Sequence, residues 1–367
     1  IIFTAIMQGP SAVNIVPTRI FGLMVNYLLD AIPLFILMAN ILERSGIIED
    51  IYHMVYNWLG WLKGGLATAT VVACTMMAAM AGVVGATEVT MGLIALPQML
   101  KRKYDKFIAL GCILGGGTLG ILIPPSVMLI VYGMVDNCSI GQLYAGAFLP
   151  GFLLSGLFII YITIRCYINP SLGPPVPKEE RLDWLGLFKV LTPIIPAALL
   201  IFLVLGTIIV GIAAPTEAAG VGCLGAFLIA IFKRRMNFKS LVIAAENTIK
   251  ASAMVFWSLF GANIFIALYI MVGGGDFVSG MLLGSGLSPW AVIWIMMGIL
   301  IFLGMFIDWV GIIMLTVPLF GPIIRQLGFD PIWFGVLFAV NMQMAFLSPP
   351  FGFSLFYLKS VAPPEIS

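Results

Sequence analysis

Of the 367 residues, 61% are hydrophobic and 9% are charged, with a formal net charge of +2. Soluble domains carry about 25% charged residues, and a mean hydropathy of +1.12 excludes that class and points to the lipid bilayer as solvent. The basic residues are scattered at the ends of apolar runs, so no nucleic-acid partner is expected.

Taken in chain order, residues 1–30 read as an N-terminal membrane segment, and because the chain opens at Ile1 we expect flanking sequence with a further membrane helix at either end. Segment 47–63 is amphipathic and aromatic, and reads as a lateral arm at the membrane interface. Next comes an apolar segment broken by Ala81-Gly82-Val83-Val84-Gly85 and ending at Pro97 and a basic turn, Lys101-Arg102-Lys103. We read it as a re-entrant hairpin at about 66–98, followed by a helix over 104–134 that Pro124-Pro125 interrupts. Apolar runs at 139–166, 188–212, 216–232 and 243–270 are long enough to span, since about 20 residues cross a hydrocarbon core. Backbone polar groups have no water to bond in lipid, so these runs are helices; the alternating segments of a β-barrel are absent. Gly273-Gly274-Gly275-Asp276 does not sit between a strand and a helix and reads as a loop.

The chain then repeats itself at an offset of 225 residues: Pro97 pairs with Pro322, Asp105 with Asp330, Pro124-Pro125 with Pro349-Pro350, and Tyr132 with Tyr357. The second copy carries a hairpin at about 291–321, broken between Gly304 and Gly311, and an interrupted helix at 330–360. Placing Lys101-Arg102-Lys103 in the cytoplasm, as the positive-inside rule asks, leaves only Arg19 and Arg325 of 18 basic residues outside and makes the repeats inverted. The expected organisation is therefore a first inverted repeat over 31–134, connecting and scaffold helices over 135–255 with a cytoplasmic loop at 169–187, and a second inverted repeat over 256–360. The fold class is an all-α polytopic membrane protein.

Interrupted helices at matching positions of two halves are the best sequence pointer to a secondary transporter's binding site. A half-helix that starts in mid-membrane presents N–H groups to an anion, and one that ends there presents carbonyls to a hard cation. Charge in the membrane is costly, which singles out Glu88, Glu217, Glu246 and Asp308. Asp308, at the second hairpin's break, is the strongest candidate cation ligand; its mate at minus 225 is Val83, so the two cation sites differ in charge. Glu88 could coordinate, carry a proton or pair with a lysine. Glu217, after Pro215, fits a helix cap, and Glu246 an (i, i+4) pair with Lys250. His53, alone on the arm, and five dispersed cysteines give no transition-metal or catalytic cluster, so we expect no enzyme and no cofactor.

At these residues the chain resembles the large membrane (DctM-like) subunit of tripartite ATP-independent periplasmic (TRAP) transporters. The matching motifs are Ala31-Ile32-Pro33-Leu34-Phe35-Ile36-Leu37, the first hairpin with Pro97, Gly120-Ile121-Leu122-Ile123-Pro124-Pro125-Ser126, Ala214-Pro215-Thr216-Glu217-Ala218-Ala219, Gly304-Met305-Phe306-Ile307-Asp308 and Leu347-Ser348-Pro349-Pro350-Phe351-Gly352. The resemblance implies an elevator-type carrier of the ion-transporter superfamily in the bacterial inner membrane, driven by sodium as its coupling ion and only metal. It also implies a small four-helix membrane partner and a periplasmic binding protein that delivers a small organic anion. By the same resemblance one sodium site would use Ala81, Val83, Gly120, Ile123 and Pro125, and the other Phe306, Asp308, Ala345, Ser348 and Pro350; Gly85, Thr87, Glu88, Ser126, Trp309 and Gly311 would face the cargo. Relatives often place serines in the first hairpin tip, where this chain has Ala81, Val83 and Val84, and a small or apolar residue where it has Glu88. The alternatives are a related carrier that works alone, such as a dicarboxylate carrier or sodium–proton exchanger, and, more remotely, a membrane-embedded enzyme, for which the dispersed acids provide no cluster.

Overall fold

The computed structural model describes residues 6, 9, 14–364 and 366. Of the expected N-terminal segment 1–30, residues 1–5, 7, 8 and 10–13 lie outside the described residues; the rest form α1 (Ile15–Met24) and a 3-10 turn at Tyr27–Asp30. That turn runs into α2 (Ala31–Arg44), bent 58° from α1. The fold is all-helical, and five of its helical stretches are long and apolar enough to cross a membrane.

α3 (Ile47–Leu59) is the arm. Its apolar stripe, with Ile47, Ile51, Tyr52 and Val55 buried, lies on the first hairpin and not on lipid, while His53 stays exposed. The hairpin is α4 (Gly65–Ala81) and α5 (Val84–Lys101) packed side by side. Asp105 caps α6 (Lys106–Thr118) through the Phe107 and Ile108 N–H groups. A single 3-10 turn at Leu119–Ile121 and the Pro-Pro pair separate α6 from α7 (Val127–Asp136). α8 (Ile140–Ile168), the run from α9 (Trp184–Lys189) through α10 (Ile195–Val210), α11 (Pro215–Phe232) and α12 (Phe238–Met271) are spans with lipid-type outer faces. Leu149, Phe202 and Trp257 are among their exposed apolar residues. The second copy runs through α13 (Gly274–Leu283), the hairpin α14 (Pro289–Gly304) and α15 (Trp309–Gln326), then α16 (Pro331–Leu347) and α17 (Phe353–Lys359).

Three sequence readings need correcting. Gly273–Asp276 is not a loop: Gly273, at φ 84°, caps α13, and Gly274 must lack a side chain because a Cβ there would stand 2.3 Å from the Tyr269 ring. Shifted back by 225, α13 falls on the arm α3, which Gly46 opens in the same left-handed conformation at φ 73°. Second, the division at 255/256 falls inside α12, one unbroken helix of 34 residues. Third, Glu246 and Lys250 both point outward on α12 and form no ion pair among the described residues. Glu217 does cap α11, its Oε2 accepting the Ala214 N–H at 2.9 Å.

The hairpins enter from opposite ends. The base of the first is tied to the linker: Gly64 N–H donates to Gly173 O at 2.8 Å, Asp105 N–H to Leu172 O at 3.0 Å, and Arg102 pairs with Glu180. The base of the second lies by the end of α7, where Arg325 pairs with Asp136 at 3.0 Å. α8 begins just after Asp136 and ends beside the linker; its 29 residues separate the two bases by roughly 44 Å. Arg102, Lys233 and Arg235 all gather round the arm at the first end: Arg102 on Tyr56, Lys233 paired with Asp50, and Arg235 against Gly46.

Candidate functional site

Each hairpin turns at residues with no room for an ordinary side chain. Gly82 ends α4 at φ 60°, and a Cβ on it would stand 2.0 Å from the Pro125 carbonyl oxygen. Gly120 lies against the Val83 backbone, where a Cβ would come within 3.3 Å of the Val83 carbonyl carbon and oxygen. The first tip is therefore seated on the first Pro-Pro break, and Val83, Gly120 and Pro125 come together there, with Ala81 next to Gly82 in the chain. Ile123 belongs to the same break, its N–H held by Leu119 O and its side chain under Gly151. The second tip repeats the contact: a Cβ on Gly304 would stand 2.3 Å from Ala345 Cβ, and Phe351 N–H donates to Met305 O at 3.2 Å. Phe306, Asp308, Ala345 and Ser348 thus lie around one junction. Both Pro-Pro bonds are cis.

The two junctions differ in exposure. Gly120 to Val131 is buried throughout, whereas Phe306 is 50% exposed and Pro349, Pro350 and Phe351 are exposed. They differ in chemistry as well. Asp308 caps α15, its Oδ2 accepting the Val310 N–H at 3.3 Å. Val83 occupies the cap position before α5, and no side chain bonds the N–H groups there. The start of α17 is likewise uncapped, with Gly352 in the left-handed region at φ 49°. Ser348 has turned its hydroxyl back to Met344 O at 2.7 Å.

Between the tips lies a cavity of about 120 Å³. Gly82 to Gly85 form one wall, Trp309, Phe346 and Tyr357 another, and Ala251, Met254 and Val255 of α12 close it. Of the six residues expected to face the cargo, Gly85 and Trp309 line this cavity. Thr87 is buried with its hydroxyl on Val83 O at 3.3 Å. Ser126 is consumed by the break, donating to Ile121 O at 2.6 Å and accepting the Leu129 N–H at 3.3 Å. Gly311 packs on Ile307 instead of lining the cavity. Glu88 is fully buried behind the tip, outside the lining.

A reading confined to charges missed several polar groups of the interior. Asn341 on α16 donates to Met297 O at 3.1 Å, which ties the second broken helix to its hairpin. Asn40 on α2 donates to Thr248 of α12 at 3.2 Å. Gln343 and Ser354 are buried, and Tyr357 lines the cavity. Uncharged polar residues at helix spacing give no signal that separates them from ordinary core; only Tyr357 was marked, as the repeat mate of Tyr132. A larger cavity of about 400 Å³ between α3, α4, α8 and α10 is apolar, its one polar side chain, Thr75, bonded to Ser155 at 2.6 Å. It offers nothing to hold an ion. Among the described residues no three His, Cys, Asp or Glu side chains gather as a transition-metal site.

The comparisons with known proteins agree on a family. Its profile, "Tripartite ATP-independent periplasmic transporter, DctM component", matches residues 1–367. The C4-dicarboxylate TRAP transporter large permease protein DctM of Vibrio cholerae is 34% identical over 92% of this chain and 78% of its own length. The isethionate TRAP transporter permease protein DctMQ of Oleidesulfovibrio alaskensis is 28% identical over 99% of this chain and 57% of its own. Among solved structures, the YdaH transporter of Alcanivorax borkumensis shares the fold, with a TM-score of 0.59 over 98% of this chain and 83% of its own at 15% identity. With interrupted helices meeting at two junctions and the family profile matched from end to end, this chain is a multi-pass membrane transporter component, not an enzyme, and belongs to the DctM component family of tripartite ATP-independent periplasmic transporters.

Proposed function

We propose that the chain is the sodium-coupled permease through which a small organic acid anion, a carboxylate or sulfonate, enters the cell after a periplasmic binding protein hands it over. A small four-helix membrane subunit completes the complex in the bacterial inner membrane, with the basic end of the fold on the cytoplasmic side. The observation that carries the reading is the seating of each hairpin tip on the Pro-Pro break of its own half. That arrangement gathers helix ends whose carbonyls lack helical partners, which suits a hard cation without a cluster of acids.

In this reading the first sodium is held by backbone oxygens around Ala81, Val83, Gly120, Ile123 and Pro125. The second sits around Phe306, Ala345, Ser348 and Pro350, where Asp308 adds a charge. The uncapped start of α5 faces the cavity with its N–H groups and the positive end of its dipole, which favours an anion. Among the described residues no arginine or lysine lines that cavity, so cargo selection rests on backbone, on the Trp309 and Tyr357 polar atoms and on the binding protein. Relatives named for C4-dicarboxylate and for isethionate fit a shared frame with different cargo.

Uptake of labelled organic anions into proteoliposomes holding the purified chain, its small membrane partner and the binding protein tests this. Uptake should require an inward sodium gradient and the binding protein. Uptake without the binding protein would favour a carrier that works alone, and uptake indifferent to sodium would remove the coupling ion.

A further inference from the structure

Glu88 lies four residues inside α5 and is fully buried. It fills the space that Gly117 leaves on α6, where a Cβ would stand 2.2 Å from Glu88 Cγ and 2.8 Å from Oε1. Neither carboxyl oxygen has a hydrogen-bond partner, and no lysine or arginine pairs with it among the described residues. The hydroxyl of Ser354, on α17, faces the carboxyl. It too is fully buried and without a partner.

The other titratable groups nearby give no positive charge. Cys74 of α4 and Tyr357 of α17 stand within electrostatic reach of Glu88, and Asp308 lies within reach of the same Tyr357 ring. Glu43 of α2 meets α5 only at the Thr90 hydroxyl, 3.1 Å away. On α6 the Cys112 thiol is turned to Met99 and to its own helix. None of these groups brings a positive charge to the carboxyl. An ionised carboxylate in such a place has no counter-charge and only the Ser354 hydroxyl as a facing donor, and a buried charge of that kind neutralises. One proton satisfies both orphans, because a carboxylic acid donates through its O–H and accepts through its carbonyl, and a serine hydroxyl does both. A hard cation does not meet the same need: it asks for a shell of oxygens, and beyond the Ser354 hydroxyl the neighbours named here are a glycine, a thiol and a ring.

The location ties that proton to movement. α5 belongs to the first hairpin and α17 to the second broken helix. Gly85 lies under the Tyr357 ring, and Gly92 under Leu358 and Val361. In this arrangement α6 and α17 together cover the carboxyl.

We infer that Glu88 is a proton-binding site, shared with Ser354, whose occupancy seats the first hairpin on α17 and so adds a proton to the transport cycle. The proton comes from water on the side where α5 and α17 are parted and returns to water when they part again; no other bond is made or broken. This rests on the transport reading above for its role in the cycle, but not for the binding of the proton itself.

Infrared difference spectra of the purified chain in lipid test the site without any transport. At neutral pH the wild type should show the carbonyl stretch of a neutral carboxylic acid that Glu88→Gln lacks and that Ser354→Ala shifts. Identical wild-type and Glu88→Gln spectra, a band unmoved in Ser354→Ala, or a band that follows sodium concentration instead of pH would overturn it. In the complete complex, with the sodium gradient fixed, wild-type uptake should fall about tenfold per pH unit above its midpoint as the proton is lost. Glu88→Gln should keep sodium-driven uptake and lose that slope. A slope unchanged in Glu88→Gln overturns the inference, whereas failure of sodium to drive the wild type strikes the proposed function and leaves the infrared result standing.

Discussion

The Asp308 carboxylate accepts the Val310 N–H at 3.3 Å, so the acid at the second hairpin's turn is the N-cap of α15. Capping and cation binding separate by substitution, because asparagine caps as well as aspartate whereas alanine does not. Asp308→Asn should keep the thermal stability of the parent and lose sodium-driven uptake. Asp308→Ala should lose uptake and also about 1 kcal/mol of stability. Uptake as a function of sodium, with thermal unfolding in detergent alongside, reads both. Full uptake in Asp308→Asn would leave the residue as a cap only.

Gly82 and Gly85 sit three residues apart on one tip and should respond differently to a methyl group. At Gly82 the added Cβ meets a fixed backbone carbonyl at 2.0 Å and the left-handed φ of 60° strains any other residue. Gly82→Ala should therefore unseat the tip from Pro125 and abolish sodium dependence and uptake together. At Gly85 the Cβ meets the Tyr357 ring at 3.0 Å, an aromatic side chain that can turn aside. Gly85→Ala should narrow the cavity, weaken cargo affinity and spare the sodium dependence. Concentration series in cargo and in sodium for both variants check this; equal losses on both axes would contradict it.

How far these features were legible follows from what glycine and proline do to a helix. Gly82, Pro125 and Pro350 interrupt the chain through their own backbone chemistry, so the breaks could be read from residue type alone. The second arm could not. Three consecutive glycines read as loop, yet only Gly273 takes a positive φ, and Gly274 is glycine because the Tyr269 ring covers it. Partnering was equally hidden. Ser126 reads as a ligand by position, but its hydroxyl is spent between Ile121 O and the Leu129 N–H, and Glu88 reads as cavity lining, though Gly117 draws it away from the cavity. Those outcomes depend on residues remote in the chain.

Ser126 gives a prediction opposite to the one its position suggests. With both hydroxyl contacts made inside the break, Ser126→Ala removes the cap of α7 and should cost about 1 kcal/mol, seen as a lower unfolding temperature. Cargo affinity in surviving complexes should be unchanged. A large fall in cargo affinity at constant stability would return Ser126 to the cavity.

The last prediction concerns the end of the fold opposite the basic cluster. Arg325 on α15 reaches Asp136 at the end of α7, pairing with its carboxylate at 3.0 Å and donating to its backbone carbonyl at 2.9 Å. Asp136 is 2% exposed and Arg325 44% exposed. Removing the arginine strands a buried acid and a carbonyl, but the exposed partner means that water already screens part of the pair. Arg325→Gln should then cost about 2 kcal/mol, below the loss for a fully buried pair, and lower the unfolding temperature by roughly 3 °C. Adding Asp136→Asn removes the stranded charge, so the double variant should be more stable than Arg325→Gln alone. If the double variant is no better, the ion pair contributes nothing, and the second hairpin's base is held to α7 by packing alone.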